Sequence, residues 1–260
     1  MKLSRFGSSS TVGIPHLPGI LQSGCLIPRH EMWYARLVFI TFGVASLFMW
    51  NTYLSCGWIM SDQIFPNMGF IQYIQTSYMS CVFIGNLTMV LGLTHIFDPH
   101  HYTVIFNCVG ALQSSIICLS VWFLQGSTSG CLVNIFIAGL VAFSCAILIP
   151  ETFTLAAIMP ESFCSYVSLG QSLSGLITVT LTLFLDIILP HDTHGRKLLT
   201  TLMFAFSTLI SLLAAYMAQS LTKSPWSYSA IAEIRKRSNA STQLSCLLYT
   251  SDAADDLLCV

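Results

Sequence analysis

Six long apolar runs, each closed by a short polar break, dominate the chain between residues 35 and 221. An α-helix rises about 1.5 Å per residue, so roughly 20 apolar residues cover the hydrocarbon layer of a bilayer. On that ruler the pattern predicts spans over Ala35–Ile59, Phe70–Phe97, Tyr102–Leu124, Cys131–Ile158, Phe163–Leu189 and Leu198–Leu221. The breaks between them, at Asp62–Asn67, Asp98–His101, Gln125–Gly130, Pro160–Ser162 and Pro190–Lys197, are short connections. The second, fourth and fifth runs have length to spare for tilt, and Pro150 gives the fourth a place to kink. The expected fold class is an all-α membrane protein, a six-helix transmembrane bundle over 35–221.

The flanks read differently. Residues 1–34 are rich in Ser, Gly and Pro and predict a disordered tail. Lys2 and Arg5 are followed by polar residues, so this tail lacks the apolar stretch of a signal peptide. Residues 222–245 read as the start of a polar loop, with a basic stretch at Arg235-Lys236-Arg237. Residues 246–260, CLLYTSDAADDLLCV, look like a translated cDNA-library adapter and are set aside from fold reasoning. On that reading a carboxy-terminal half of the same chain is missing.

Composition strengthens the membrane reading. Hydrophobic residues make up 54% of the chain and charged residues 8%, against about 25% charged in soluble domains. No lysine or arginine occurs between Arg36 and Arg196. A water-facing surface of that length without a cation is not available to a soluble domain. The basic residues also set an expected orientation. Lys2, Arg5, Arg29, Arg36, Lys223, Arg235, Lys236 and Arg237 fall on the side of the two ends, and Arg196 and Lys197 on the other. That bias places both ends in the cytosol. No basic patch suited to nucleic acid exists in the core. None of the ten cysteines forms a Cys-x-x-Cys pair, and most lie in apolar runs, where they act as small hydrophobes.

The chemistry must then come from the few polar residues inside the spans, which are costly there and face the bundle interior or a cavity. Trp50-Asn51 sits in the middle of the first span. Glu151 follows Pro150 in the fourth, where a charged group costs roughly 2.5–3.5 kcal/mol on insertion scales. Gln171 sits in the fifth, within Ser168-Leu169-Gly170-Gln171-Ser172-Leu173-Ser174-Gly175. Asp186 lies near the end of that span, close enough to the interface to be solvated. Trp50 can be packing, and Asn51 and Gln171 can merely bond neighbouring helices. Gly170, Ser174 and Gly175 suit close helix approach. Zinc-protease, nucleophile-elbow and phosphate-loop motifs are absent, so no catalytic residue or cofactor is expected. His95, His100 and His101 cluster at one turn and His191 with His194 at another, without the cysteine or acidic ligands of a metal site.

Two segments carry a family resemblance. Gly43, followed after five residues by Met49-Trp50-Asn51, resembles the first helix of equilibrative nucleoside transporters, where Pro-Trp-Asn follows a glycine-containing run. The stretch from Phe153 to Pro160, then Gly170-Gln171-Ser172-Leu173-Ser174-Gly175, is similar to the family's junction of helices four and five. The resemblance covers about residues 35 to 235. It implies the amino-terminal six of eleven helices of a fold related to the major facilitators. It also implies a nucleoside or nucleobase permeant bound at midplane and moved by alternating access. It assigns Trp50 to the pocket wall and gives the Gly170–Gly175 segment a packing role. Two positions depart from the family: Met49 stands for its proline, and Ile149-Pro150-Glu151 replaces a region that often carries a permeant-facing glutamine. Trp50, Asn51, Glu151 and Gln171 are the expected permeant-binding residues. A proton-coupled or metal permease, and a six-span channel or scaffold subunit, stay open as alternatives.

Overall fold

The computed structural model describes residues 29–91, 99–159, 163–221, 223–225 and 227–228. The adapter-like end, the Arg235 stretch, Trp226, His95, Pro160 and all of the expected tail before residue 29 lie outside the described residues. The described residues form six long helices: α1 (Arg29–Ile59), α2 (Phe70–Val90), α3 (Pro99–Phe123), α4 (Thr128–Ile158), α5 (Cys164–Ile188) and α6 (Thr193–Leu221). A π-helical turn, Met60–Ile64, extends α1. Among the described residues there is no strand.

Several boundaries differ from those expected. Residues 29–34, read as tail, are the first turns of α1. Glu31 sits in its first turn, where the helix dipole favours an acid, and Tyr34 Oη lies 2.5 Å from Ser220 Oγ of α6. At the other end α6 begins ahead of Leu198 because Asp192 caps it, its carboxylate accepting from the Gly195 N–H at 2.7 Å. Arg196 and Lys197, expected in a loop, are therefore helical. Ser127 caps α4 in the same way, accepting from the Gly130 N–H at 3.0 Å. The backbone of α4 stays helical through Pro150.

Among the described residues five helices, all except α2, are long and apolar enough to cross a membrane, and the chain is an all-helical membrane protein. The described part of the second run ends at Leu91 and alone falls short of that measure; the rest of that predicted run, 92–97, lies outside the described residues. Gln72, Gln75, Thr76, Ser77, Ser80 and Asn86 dilute its apolar character.

Contacts fix the directions of the helices. Ser46, Gly43 and Asn51 of α1 meet Gln171, Gly170 and Ser174 of α5 in rising order, so α1 and α5 are parallel. Ser77 donates to the Ile135 carbonyl and Gly85 backs onto Phe143 and Ala146, so α2 and α4 are also parallel. Ser114 meets Ser207 and Cys118 meets the Thr201 carbonyl, so α3 and α6 are antiparallel. The chain therefore alternates direction through all six helices, α2 included. The start of α1 and the end of α6 share one end of the bundle; the α1–α2, α3–α4 and α5–α6 connections share the other.

Among the described residues the interior holds two apolar clusters. One gathers Met49, Tyr53, Ile59, Phe65, Ile117, Val141 and Phe204 near the connection end. The second gathers Phe39, Phe42, Leu155, Phe163, Val167 and Ala214 near the end where the chain enters and leaves. Buried polar side chains, among them Ser46, Ser114, Glu151, Thr152, Ser207 and Ser211, fall between them in sequence along α1, α3, α4 and α6.

The α1–α5 crossing has no room for side chains. A Cβ on Gly43 would lie 2.1 Å from the Val167 carbonyl oxygen, and one on Gly170 would lie 2.1 Å from that of Ile40. Backbone meets backbone there, the geometry that small residues allow between membrane helices. At Gly175, by contrast, a Cβ would meet its nearest atom, Asn51 Nδ2, at an ordinary 3.8 Å. Gly170→Ala is expected to lower stability by at least about 1–3 kcal/mol, the usual cost of overpacking, and Gly175→Ala by much less. Thermal unfolding of both variants in detergent checks this; equal midpoints would contradict the crossing.

Candidate functional site

Trp50 leaves α1 towards α2, where its ring stacks on Tyr78 with centroids 3.4 Å apart and planes 17° from parallel. Beside this pair a cleft of about 190 Å³ runs between α1 and α2. Trp50, Tyr53, Leu54, Gly57 and Trp58 line it from α1, and Phe70, Ile71, Ile74 and Gln75 from α2. Trp50 and Trp58 are eight positions apart, so the cleft follows α1 for roughly 12 Å, from its middle towards the connection end. The Tyr53 hydroxyl is already engaged, donating to the Asn134 carbonyl at 3.4 Å. Gln75 brings an amide to a wall that is otherwise aromatic and aliphatic. Such a lining stacks on flat rings and offers one paired donor and acceptor.

Asn51, the next residue, points another way. Its amide donates to Ser174 Oγ at 2.7 Å, and Ser174 donates to the Gln171 carbonyl at 2.8 Å. The Gln171 amide lies 3.4 Å from Ser46 Oγ, which itself donates to the Gly43 carbonyl at 2.8 Å. Asn51, Gln171 and Ser174 thus form a hydrogen-bonded ladder up the α1–α5 seam above the glycine crossing. Both amides bond a neighbouring helix, the role that span amides commonly have.

Glu151 is buried, 9% exposed, in the polar layer between the two apolar clusters. The Cys145 thiol donates to the Ser46 carbonyl, which fixes the register of α4 against α1. Glu151 lies six residues beyond Cys145 and Trp50 four residues the opposite way along the bundle, so roughly 15 Å of axis separates them. The four expected permeant-binding residues are therefore not one constellation. Trp50 lies on the α1–α2 cleft, Asn51 and Gln171 lie on the α1–α5 seam, and Glu151 lies inside the bundle.

Residues outside the expected permeant-binding set complete the picture. Asp186, expected to be near enough to the interface to be solvated, is 35% exposed and ion-paired with Arg196 Nη1. The opposite Nη2 of Arg196 lies 2.8 Å from His191 Nδ1, and its guanidinium carbon is 5.4 Å from the ring centre of Trp58. Arg196 is 7% exposed, buried in the first turn of α6. His194 meets Trp122 edge-on, and Lys197 Nζ lies 5.6 Å from the same ring. Tyr78 carried no sequence signal as the partner of Trp50, because only the α1–α2 pairing brings them together. Trp58 and Arg196, far apart in sequence, are likewise brought together only by the fold, as a cation–π contact. Among the described residues, no group of three His, Cys, Asp or Glu side chains comes together in a way that could hold a metal ion.

No protein-family model and no curated protein matches the chain. The fold and the site define its class, an all-helical membrane protein with an aromatic cleft between its first two helices.

The seam gives a direct energetic test. A double-mutant cycle between Asn51→Ala and Ser174→Ala is expected to show a coupling of about 0.6 kcal/mol, and not above about 1.7, the range found for hydrogen bonds between membrane helices. Unfolding of the four proteins in mixed micelles measures it; additive effects would mean that the bond contributes nothing.

Proposed function

We propose that this chain is the amino-terminal bundle of a facilitative transporter for nucleosides or nucleobases, working by alternating access without covalent chemistry. The observation that carries the reading is the Trp50–Tyr78 stack at the inner end of an aromatic cleft, close to the middle of α1. A flat heterocycle lies well on such a surface, and stacking of a base on an aromatic side chain is worth about 1–3 kcal/mol by alanine substitution. The Gly43…Trp50-Asn51 and Gly170-Gln171…Gly175 patterns support it through their resemblance to the equilibrative nucleoside transporters. A carboxy-terminal bundle packed against this one supplies the second wall of the pathway, and rocking between the bundles moves the permeant. The expected setting is the plasma membrane with both ends of the chain in the cytosol, which agrees with the basic residues flanking α1 and α6.

The placement of the side chains changes their roles within this reading. Trp50 is the permeant-facing residue. Asn51 and Gln171 hold the α1–α5 seam beside it. Glu151, in the polar layer, is the group on which a proton-coupled version would depend.

Uptake of radiolabelled uridine or adenosine by the full open reading frame, expressed in a transport-deficient cell, tests the proposal. Trp50→Ala is expected to cut uptake tenfold or more, since about 1.4 kcal/mol is a factor of ten, while surface expression persists. Unchanged uptake would remove Trp50 from the pathway. Absence of any nucleoside or nucleobase uptake by the unaltered protein would overturn the function. Glu151→Gln, which keeps shape and removes charge, should leave uptake intact if transport is uncoupled; its loss with surface expression retained would favour the proton-coupled alternative.

A further inference from the structure

The outer end of the α1–α2 cleft is built on Trp58, which is 48% exposed and lies beneath the guanidinium of Arg196. Arg196 joins three parts of the bundle. It is carried by α6, pairs with Asp186 of α5, meets His191 of the intervening turn and covers Trp58 of α1. The planar fork of arginine holds two polar partners and stacks on an aromatic face in one fixed geometry, which an ammonium does not provide. Its Nε is buried without a hydrogen-bond partner, a cost that the α5–α6 turn does not require for its own closure. Asp192 already secures that turn by capping α6. The reach of Arg196 across to α1 therefore has a separate consequence, and it falls on Trp58.

We propose that Arg196 is a positioning residue that clamps the α5–α6 turn onto α1 and holds the Trp58 indole across the outer end of the cleft. When the cleft opens at this end, the Arg196–Asp186 pair and the Arg196–Trp58 contact part together. The inference deepens the transport reading, in which this cleft admits the permeant, and names the contact that gates it.

Gly57 supplies a reporter. It lines the cleft next to Trp58, and a Cβ added there meets no atom within 4 Å, so Gly57→Cys is tolerated sterically. The experiment measures maleimide labelling of Gly57→Cys in the full-length protein in lipid nanodiscs, with the Gly57 parent giving the background from native cysteines. Arg196→Gln and Asp186→Asn are each expected to speed labelling at least about fivefold, as for a two-state opening that has lost a contact present only in the closed state. Arg196→Lys should fall between them and the parent. Trp58→Ala should label as fast as Arg196→Gln, and the two changes together no faster. Unchanged labelling in monodisperse Arg196→Gln or Asp186→Asn protein would overturn the clamp, as would additive effects of Arg196→Gln and Trp58→Ala. If Arg196→Gln does not fold, Asp186→Asn, which alters the less buried partner, carries the test with Trp58→Ala. Labelling needs no permeant, so failure of the clamp and failure of the transport reading are read separately.

Discussion

The rest of the bundle depends on the crossing of α1 and α5 at Gly43 and Gly170, where two backbones touch because neither residue has a side chain. That approach brings Ser46, Gln171, Asn51 and Ser174 within bonding distance above it, so the seam is closed by polar groups that would be costly facing lipid. It also fixes how α1 is turned. With one side of α1 committed to α5, the opposite faces go to α4 and α6, and Trp50 is left to meet α2. The cleft is a consequence of this arrangement, because α1 and α2 touch only sparingly and their aromatic side chains bridge the gap.

Polar groups are sorted by depth as well as by face. The two apolar clusters hold the ends of the bundle, and Ser46, Ser114, Glu151 and Ser207 occupy the layer between them. Within that layer hydroxyls mostly return to the backbone of their own helix or meet another hydroxyl, as Ser46 does to Gly43 and Ser114 to Ser207. A core interrupted this way is less tightly committed to one packing than an all-aliphatic one, since each polar contact here contributes modestly. That property suits a bundle whose proposed work is to rock. The α1–α2 cleft, by contrast, is lined by aromatic and aliphatic side chains, with Gln75 as its one amide, a lining that suits the flat ring of the proposed permeant.

Much of the fold was legible in the sequence, because apolar run length measures membrane thickness directly. The cores of α1, α3, α4, α5 and α6 stand where the runs put them. The ends shifted where capping decided: Asp192 drew α6 back to include Arg196, and Ser127 started α4 early. For α2 the described part alone falls short of a span, since Gln72, Gln75 and Ser80 weigh against it, while its pairing with α4 holds it in the bundle. The candidate site was legible as a set of residue types and not as a place. Trp50, Asn51, Gln171 and Glu151 stand out by polarity or size at membrane depth, but helix rotation decides which of them share a cavity, and it divides them among three. Tyr78, Trp58 and Arg196 matter through contacts made across long stretches of sequence, which periodicity does not encode.

The account stands on α2 crossing the membrane beside α4, because only then does the aromatic cleft lie at bilayer depth. Small epitope tags inserted at Asn67, in the exposed α1–α2 turn, and at Gly126, in the α3–α4 turn, read this directly when their accessibility is compared in intact and permeabilised cells. Both tags on the same face of the membrane is the expected result, since two crossings, α2 and α3, separate them. Tags on opposite faces would mean that α2 lies outside the membrane, and the cleft with it.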